Sequence, residues 1–363
     1  MTKFRVGIIG ATGMVGQRFV TLLSDHPWFE ISALAASAGS AGKTYKEAVA
    51  GRWAFSRPIP EKAANMTVLD ASKVQDVSKE CDFVFCAVAM DKLATRALEE
   101  SYAMAETPVV SNNSACRMLP DVPMLIPEIN AGHAPIILAQ RKRLGTKRGF
   151  IAVKPNCSIQ SYVPALTPLR DFGLKEVSVC TYQAISGAGK TFERWPEILD
   201  NVVPYIGGEE DKSEQEPLKI WGELNADGTA IEMAQAPVIS AQCLRVPVSD
   251  GHMAAVSVSF EHRPEEAEIL DRWANYRTVA QQLALPSAPT PFLKYFSEPD
   301  RPQTRLDRDF ERGMGVTLGR LRPDPIFDYK FVCLSHNTLR GAAGGGVLSA
   351  ELLCAQGYIQ RKE

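Results

Sequence analysis

The sequence predicts an α/β fold in two parts. The first is a doubly wound parallel sheet, and the second is an α+β region with a largely antiparallel sheet. Three observations carry this. Strand-like and helix-like segments alternate through the first 153 residues. The texture changes after Pro155 to long runs of alternating polar and apolar residues. A glycine-rich loop separates the first strand candidate from the first helix candidate. A length of 363 residues is that of about two domains.

Taken in order, Phe4–Ile9 is a short apolar run that reads as a strand. Met14–Leu23 has helical spacing, with Val15, Phe19, Leu22 and Leu23 apolar. Residues 31–36 and 82–88 are the next strand candidates, 93–104 is a helix candidate, and 108–111 and 150–153 close the series. Residues 159–169 form an apolar helix candidate. In the second part, 176–185 (EVSVCTYQAI), 254–260 (AAVSVSF) and 327–334 (FDYKFVCL) alternate as strands with one buried face do. Polar, proline-containing stretches at 207–217 and 297–305 separate them. Residues 346–358 return to helical spacing after the segment Gly341-Ala-Ala-Gly-Gly-Gly346.

Composition narrows the function classes. Hydrophobic residues make up 45% and charged residues 23%, an ordinary globular mix that argues against disorder or coiled coil. Formal charge is −2, and the most basic stretch, Arg141 to Arg143 with Lys147 and Arg148, reads as a solvated loop, so no nucleic-acid partner is expected. No run of about 18 apolar residues and no signal-peptide pattern occur; the expected setting is the cytoplasm, away from membranes. Eight scattered cysteines without any Cys-x-x-Cys argue against structural zinc and against thioredoxin chemistry, and no metal is expected.

The loop Gly10-Ala-Thr12-Gly13-Met14-Val15-Gly16 has the flanks of a Rossmann-like dinucleotide fingerprint, in which glycines admit the backbone to a pyrophosphate at a helix N-terminus. Residues 31–46 contain no Asp or Glu for a ribose 2′-hydroxyl. They offer Ser37, Ser40 and Lys43, which suit a 2′-phosphate, so NADP is the expected cofactor.

Two patterns mislead. Ala184-Ile-Ser-Gly-Ala-Gly189-Lys190-Thr191 nearly matches a phosphate loop, but Ala184 stands where glycine is needed, and no later strand ends in a magnesium-binding Asp. An NTPase is therefore the alternative from a different class. Tyr358 and Lys362 have the spacing of a reductase pair, yet lie at the C-terminus.

The segment Lys154-Pro-Asn156-Cys157-Ser158 is placed to end a strand and open the 159–169 helix. There the macrodipole would favour a Cys157 thiolate, a competent nucleophile. A thiolate beside a nicotinamide implies aldehyde oxidation through a thioester, or the reverse reduction. A proton shuttle is then needed, and the candidates are His26, His133, His252, His262 and His336. His252 stands in a loop just before the 254–260 strand and is preferred, whereas His26 and His262 read as surface residues.

The glycine loop, Asn156-Cys157-Ser158, residues 182–189 (YQAISGAG), Arg245-Val-Pro…Gly251-His252 and residues 337–344 (NTLRGAAG) occur in one order. Together they resemble the aspartate-semialdehyde dehydrogenases of the branch typical of archaea and fungi, over nearly the whole chain. The resemblance implies reduction of L-aspartyl 4-phosphate by NADPH to L-aspartate 4-semialdehyde and phosphate, a step toward lysine, methionine and threonine. It makes Cys157 the nucleophile, His252 the general acid/base and Gln183 the residue that orients substrate. Arg117 and Asn156 would form a phosphate corner, Glu209 and Lys212 would contact the substrate amino group and phosphate, and Arg245 its carboxylate. Ser186, Gly187, Gly189 and Asn337 would touch the cofactor. The implied domains are residues 1–154 with 336–363, for NADP, and 155–335, for catalysis and dimerisation, in a homodimer or homotetramer. The chain departs from the family pattern at Ser158-Ile159 and at 190–193 (KTFE). Malonyl-CoA reductase and N-acetyl-glutamyl-phosphate reductase are the related alternatives, and a catalytically dead NADP sensor would not need Cys157 with His252.

Overall fold

A computed structural model describes residues 2–362 and divides into two compact units. The first comprises residues up to Lys154, Leu224–Glu232 and the chain from Ala343. The second comprises Pro155–Glu223 and Met233–Ala342. Six helices of eight residues or more occur among the described residues: α1 (Met14–Leu23), α2 (Lys92–Met104), α3 (Ile137–Leu144), α4 (Glu209–Ile220), α5 (Glu266–Ala274) and α6 (Gly344–Ala355). No helix of the described residues is long and apolar enough to cross a membrane.

The first unit holds a six-stranded sheet of β1 (Phe4–Ile9), β2 (Phe29–Ala36), β3 (Val68–Asp70), β4 (Phe83–Cys86), β5 (Val109–Ser111) and β6 (Ile151–Val153). All five pairings are parallel, in the order β3-β2-β1-β4-β5-β6. Its central strands are apolar along their length because both faces are covered: Val6, Ile8, Leu34 and Val84 are fully buried. Phe19 of α1 stacks on Phe85 of β4 with ring centroids 4.4 Å apart. Helix α6 is buried at every position from Gly344 to Leu353, as expected of a helix apolar all round. The strand order reverses between β1 and β4, which puts a ligand crevice at the carboxyl end of β1, where the glycine loop lies.

The second unit holds β7 (Leu174–Gln183), β10 (Val238–Arg245), β11 (His252–Phe260), β12 (Leu293–Phe296), β13 (Val316–Pro323) and β14 (Tyr329–Ser335), in the order β10-β7-β11-β14-β13-β12. The three central pairings are antiparallel and the two outer ones parallel. A two-stranded ribbon, β8 (Glu223–Leu224) with β9 (Ile231–Glu232), leads into and out of the part of the chain that joins the first unit.

Four expectations are corrected. Residues 159–169 are not one helix: a 3-10 turn (Ser158–Gln160), a short α-helix (Tyr162–Leu166) and a second 3-10 turn (Thr167–Phe172) follow one another, because Pro164 and Pro168 cannot donate to a continuous ladder. The polar stretch 207–217 is no separator. Gly208 caps helix α4 in the left-handed region (φ 68°), and three acids in the first turn suit its dipole. Glu210 and Glu214 of that helix accept the outward N–H groups of Cys243 (3.2 Å) and Ala241 (2.9 Å), which covers the edge strand β10. The basic stretch from Arg141 is the last turn of α3. Arg141 donates to the carbonyls of Arg148 and Tyr358, and Arg143 pairs with Asp121. Lastly, His252 is the first residue of a strand and not of a loop.

Candidate active site

β6 ends at Val153, and the chain turns at Pro155 into the segment that carries Cys157. No regular helix begins there, so the macrodipole argument fails, and side chains take over the positioning. Asn156 Nδ2 donates to both oxygens of Glu209 at 3.0 Å. That leaves Asn156 Oδ1 to accept the Cys157 thiol at 3.3 Å and the Ser158 N–H at 3.3 Å.

His252 Nε2 lies 3.5 Å from Cys157 Sγ. The backbone N–H of Ala184 donates to His252 Nδ1 at 3.0 Å. With Nδ1 an acceptor, the ring proton sits on Nε2 and faces the sulfur. Burial, and next the Arg245 guanidinium, push the imidazole down to about 3, so the ring is neutral. Gly187 closes this corner: a Cβ there would stand 2.9 Å from Arg245 Nη1 and 3.1 Å from His252 Nε2, so a side chain would enter only by displacing these two groups.

Glu209 is the hub of the remaining contacts. Besides Asn156 it accepts from Gln183 Nε2 at 3.2 Å and Lys212 Nζ at 2.8 Å. Burial works against its charge, but Lys212 and the two amide donors, Asn156 and Gln183, outweigh that and hold its carboxyl below the usual range. It is only 8% exposed, so the 209–211 acids are not merely a solvated turn. Gln183 is itself oriented by Thr181 at 3.0 Å, and Arg245 Nη1 donates to the Ala184 carbonyl at 2.7 Å. Asn337 bridges Ser186 Oγ and the Gly251 N–H, both at 2.8 Å. The second unit thus brings together Cys157, His252, Gln183, Asn156, Glu209, Lys212, Arg245, Ser186, Gly187 and Asn337. Gly189 (φ 68°) closes the 3-10 turn Ile185–Ala188. That turn replaces the helix a phosphate loop requires, so the NTPase pattern has no cradle here.

Arg117 and the glycine loop belong to the first unit. Arg117 is buried, its Nε donating to the Lys154 carbonyl at 3.0 Å and Nη2 to that of Asn112 at 2.9 Å. Gly10, Thr12 and Gly13 join β1 to α1, and Met14, Val15 and Gly16 form the first turn of α1. A Cβ on Gly16 would collide with the Gly10 carbonyl and Ala11, so the helix seats against the loop only with glycine there. Helix α1 has no side-chain cap and no acid in its first turn, which leaves its N–H groups for an anion. Ser37 is exposed past β2, and the Lys43 ammonium donates to the Gly39 carbonyl. Ser40 is buried and accepts from Arg52 Nη2 at 3.2 Å, a cation the sequence reading missed.

The histidines sort differently than expected. His262 is exposed, but His26 is buried. Its Nδ1 accepts the N–H groups of Trp28 and Phe29, and its Nε2 donates to the buried Glu351 at 2.8 Å. His26→Asn is therefore expected to cost about 1–3 kcal/mol through the buried carboxylate that loses this donor. A thermal melt checks it, with kcat unchanged.

Two family descriptions match the chain: "Semialdehyde dehydrogenase, NAD binding domain" over residues 5–135 and "Semialdehyde dehydrogenase, dimerisation domain" over 166–340. An aspartate-semialdehyde dehydrogenase of Aspergillus fumigatus is 44% identical, across 98% of this chain and 99% of that protein. One of Archaeoglobus fulgidus is also 44% identical, across 98% and 100%. The crystal structure of the aspartate-semialdehyde dehydrogenase of Candida albicans with NADP superposes with a TM-score of 0.88. It is 40% identical and covers 99% of this chain and all of that one.

Proposed function

Because the chain belongs to the aspartate-semialdehyde dehydrogenase family, we propose that it converts L-aspartyl 4-phosphate to L-aspartate 4-semialdehyde and phosphate through a thioester on Cys157. The activity is NADP-dependent, and bound NADPH supplies the hydride that reduces the acyl group. The observation that carries the residue assignments is the 3.5 Å approach of Cys157 Sγ to His252 Nε2, beside the Glu209 hub.

Cys157 attacks the acyl carbon, the C–O bond to phosphate breaks, and the thiol proton leaves with the phosphate. After reduction the tetrahedral oxyanion collapses to the aldehyde and expels the thiolate, which takes up a proton from solvent to restore the starting thiol. The proton on His252 Nε2 is positioned to stabilise that oxyanion. The neutral ring narrows the expected acid/base role to that of a donor. Arg245 pairs with the substrate carboxylate. Glu209 takes the substrate ammonium and Lys212 contacts the phosphate; Arg117, in the first unit, is the phosphate-binding arginine that the family resemblance implies. The glycine loop and the α1 N-terminus hold the pyrophosphate. Ser37, Ser40 and Lys43, joined by Arg52, take the 2′-phosphate, while Ser186, Gly187, Gly189 and Asn337 line the nicotinamide side. Residues 166–340 match a dimerisation domain, so the protein self-associates; homodimer or homotetramer is the proposed assembly.

The test is a panel of aspartate, N-acetylglutamate and malonate semialdehydes, with phosphate or CoA and with NADP+ or NAD+. Aspartate semialdehyde with phosphate and NADP+ should be strongly preferred, and equal efficiency with NAD+ would show that the 31–46 argument is wrong. Glu209→Gln should lower kcat/KM for aspartate semialdehyde about tenfold to a hundredfold, the size of a charged hydrogen bond. Glu210→Gln should behave as wild type, since glutamine still accepts the Cys243 N–H.

A further inference from the structure

Helix α4 turns a polar face onto the nucleophile segment. Glu209, Ser213 and Glu216 stand at i, i+4 and i+7, so they share one side, and all three are buried. Each meets a different group of residues 156–158. Glu209 takes the Asn156 amide, and Ser213 Oγ lies 3.1 Å from Ser158 Oγ. Glu216 Oε2 accepts the backbone N–H of Asn156 at 2.6 Å. The Tyr162 hydroxyl donates to the Ser213 carbonyl at 2.6 Å and ties the following turn to the same helix.

We propose that Glu216 is a positioning residue for Cys157, acting through the backbone N–H of Asn156; this rests on the reading of Cys157 as the nucleophile. The N–H of Asn156 lies between the end of β6 and the 3-10 turn at Ser158, outside any ladder, and a buried N–H requires a partner. Pro155 before it has no donor and a fixed φ. The carboxylate of Glu216 therefore sets the plane of the 155–156 peptide through a short, charge-assisted bond. That plane directs Asn156 Oδ1 toward the thiol and fixes where the Cys157 Cβ–Sγ bond starts. A misplacement of about 1 Å at a reacting atom costs on the order of 100-fold.

The test compares Glu216→Met, which removes the acceptor at similar length, with Glu216→Gln, which keeps it. In Glu216→Met, kcat should fall on the order of 100-fold with little change in KM. The rate of Cys157 alkylation by iodoacetamide should fall as well, and its pH dependence should move. Glu216→Gln should recover most of both. Wild-type kcat and labelling in a Met variant with native melting and native NADP binding overturn the proposal, and so does a Gln variant as slow as Met. If the Met variant does not fold, Glu216→Asp, which withdraws the carboxylate by one methylene, should show the same loss; wild-type kcat there overturns the proposal. Cys157→Ser is the control. Retained turnover in it defeats the nucleophile reading, whereas its loss beside a wild-type Glu216→Met defeats only the positioning role.

Discussion

Cys157→Ser is expected to lower turnover by roughly four orders of magnitude or more while leaving NADP affinity unchanged. A hydroxyl in the same place finds the same acceptor on Asn156 but no accessible anion, so the covalent step is lost and the nucleotide unit is untouched. The other thiols sharpen the assignment. Burial pushes Cys81, Cys86, Cys116, Cys180, Cys243, Cys333 and Cys354 up, away from thiolate. Alkylation near neutral pH should therefore label Cys157 first. Mass spectrometry that finds any of the seven labelled ahead of it contradicts the assignment.

His252→Asn should lower kcat by about two to three orders of magnitude, the usual size of a lost oxyanion donor. The shorter amide withdraws the N–H from the sulfur. The pH profile is the more telling measurement. An imidazole near its ordinary value would put an inflection of kcat/KM between pH 6 and 7. His252 is pushed down to about 3 by burial and Arg245, so it stays neutral through that range, and the Nδ1 lone pair that accepts the Ala184 N–H is protonated only near pH 3. An inflection between pH 6 and 7 that disappears in His252→Asn would show that the ring titrates in the free protein and that the neutral-donor account is wrong.

The nucleotide half was legible because its signals are local. β1 and α1 run over the expected residues, since an apolar run, three glycines and a helical stripe follow one another within 20 positions. Cys157, His252, Gln183 and Arg245 could be named from motifs, but their mutual geometry could not. Helix α4 was missed because the face it buries carries Glu209, Ser213 and Glu216, so hydrophobic periodicity has nothing to detect, and Pro217 sits within it. The signal that would have found it is the Gly-Gly cap before three acids. The 159–169 run failed in the opposite sense, with apolar spacing present and two prolines breaking the ladder. His26 was misread because its partner Glu351 lies 325 residues away.

The placement of α6 has a consequence for synthesis. The parallel sheet is complete once β6 has been made, yet the apolar helix that belongs to the same unit is translated last, after the whole second unit. A nascent chain therefore holds a sheet whose apolar surface waits for about 190 further residues, or on the order of 10 to 40 seconds at ribosomal speed. During that interval the second unit can close around Cys157 using only its own residues, while the dinucleotide half stays open and prone to aggregate. Chaperone dependence should accordingly fall on the half of the protein whose elements the sequence declares most plainly.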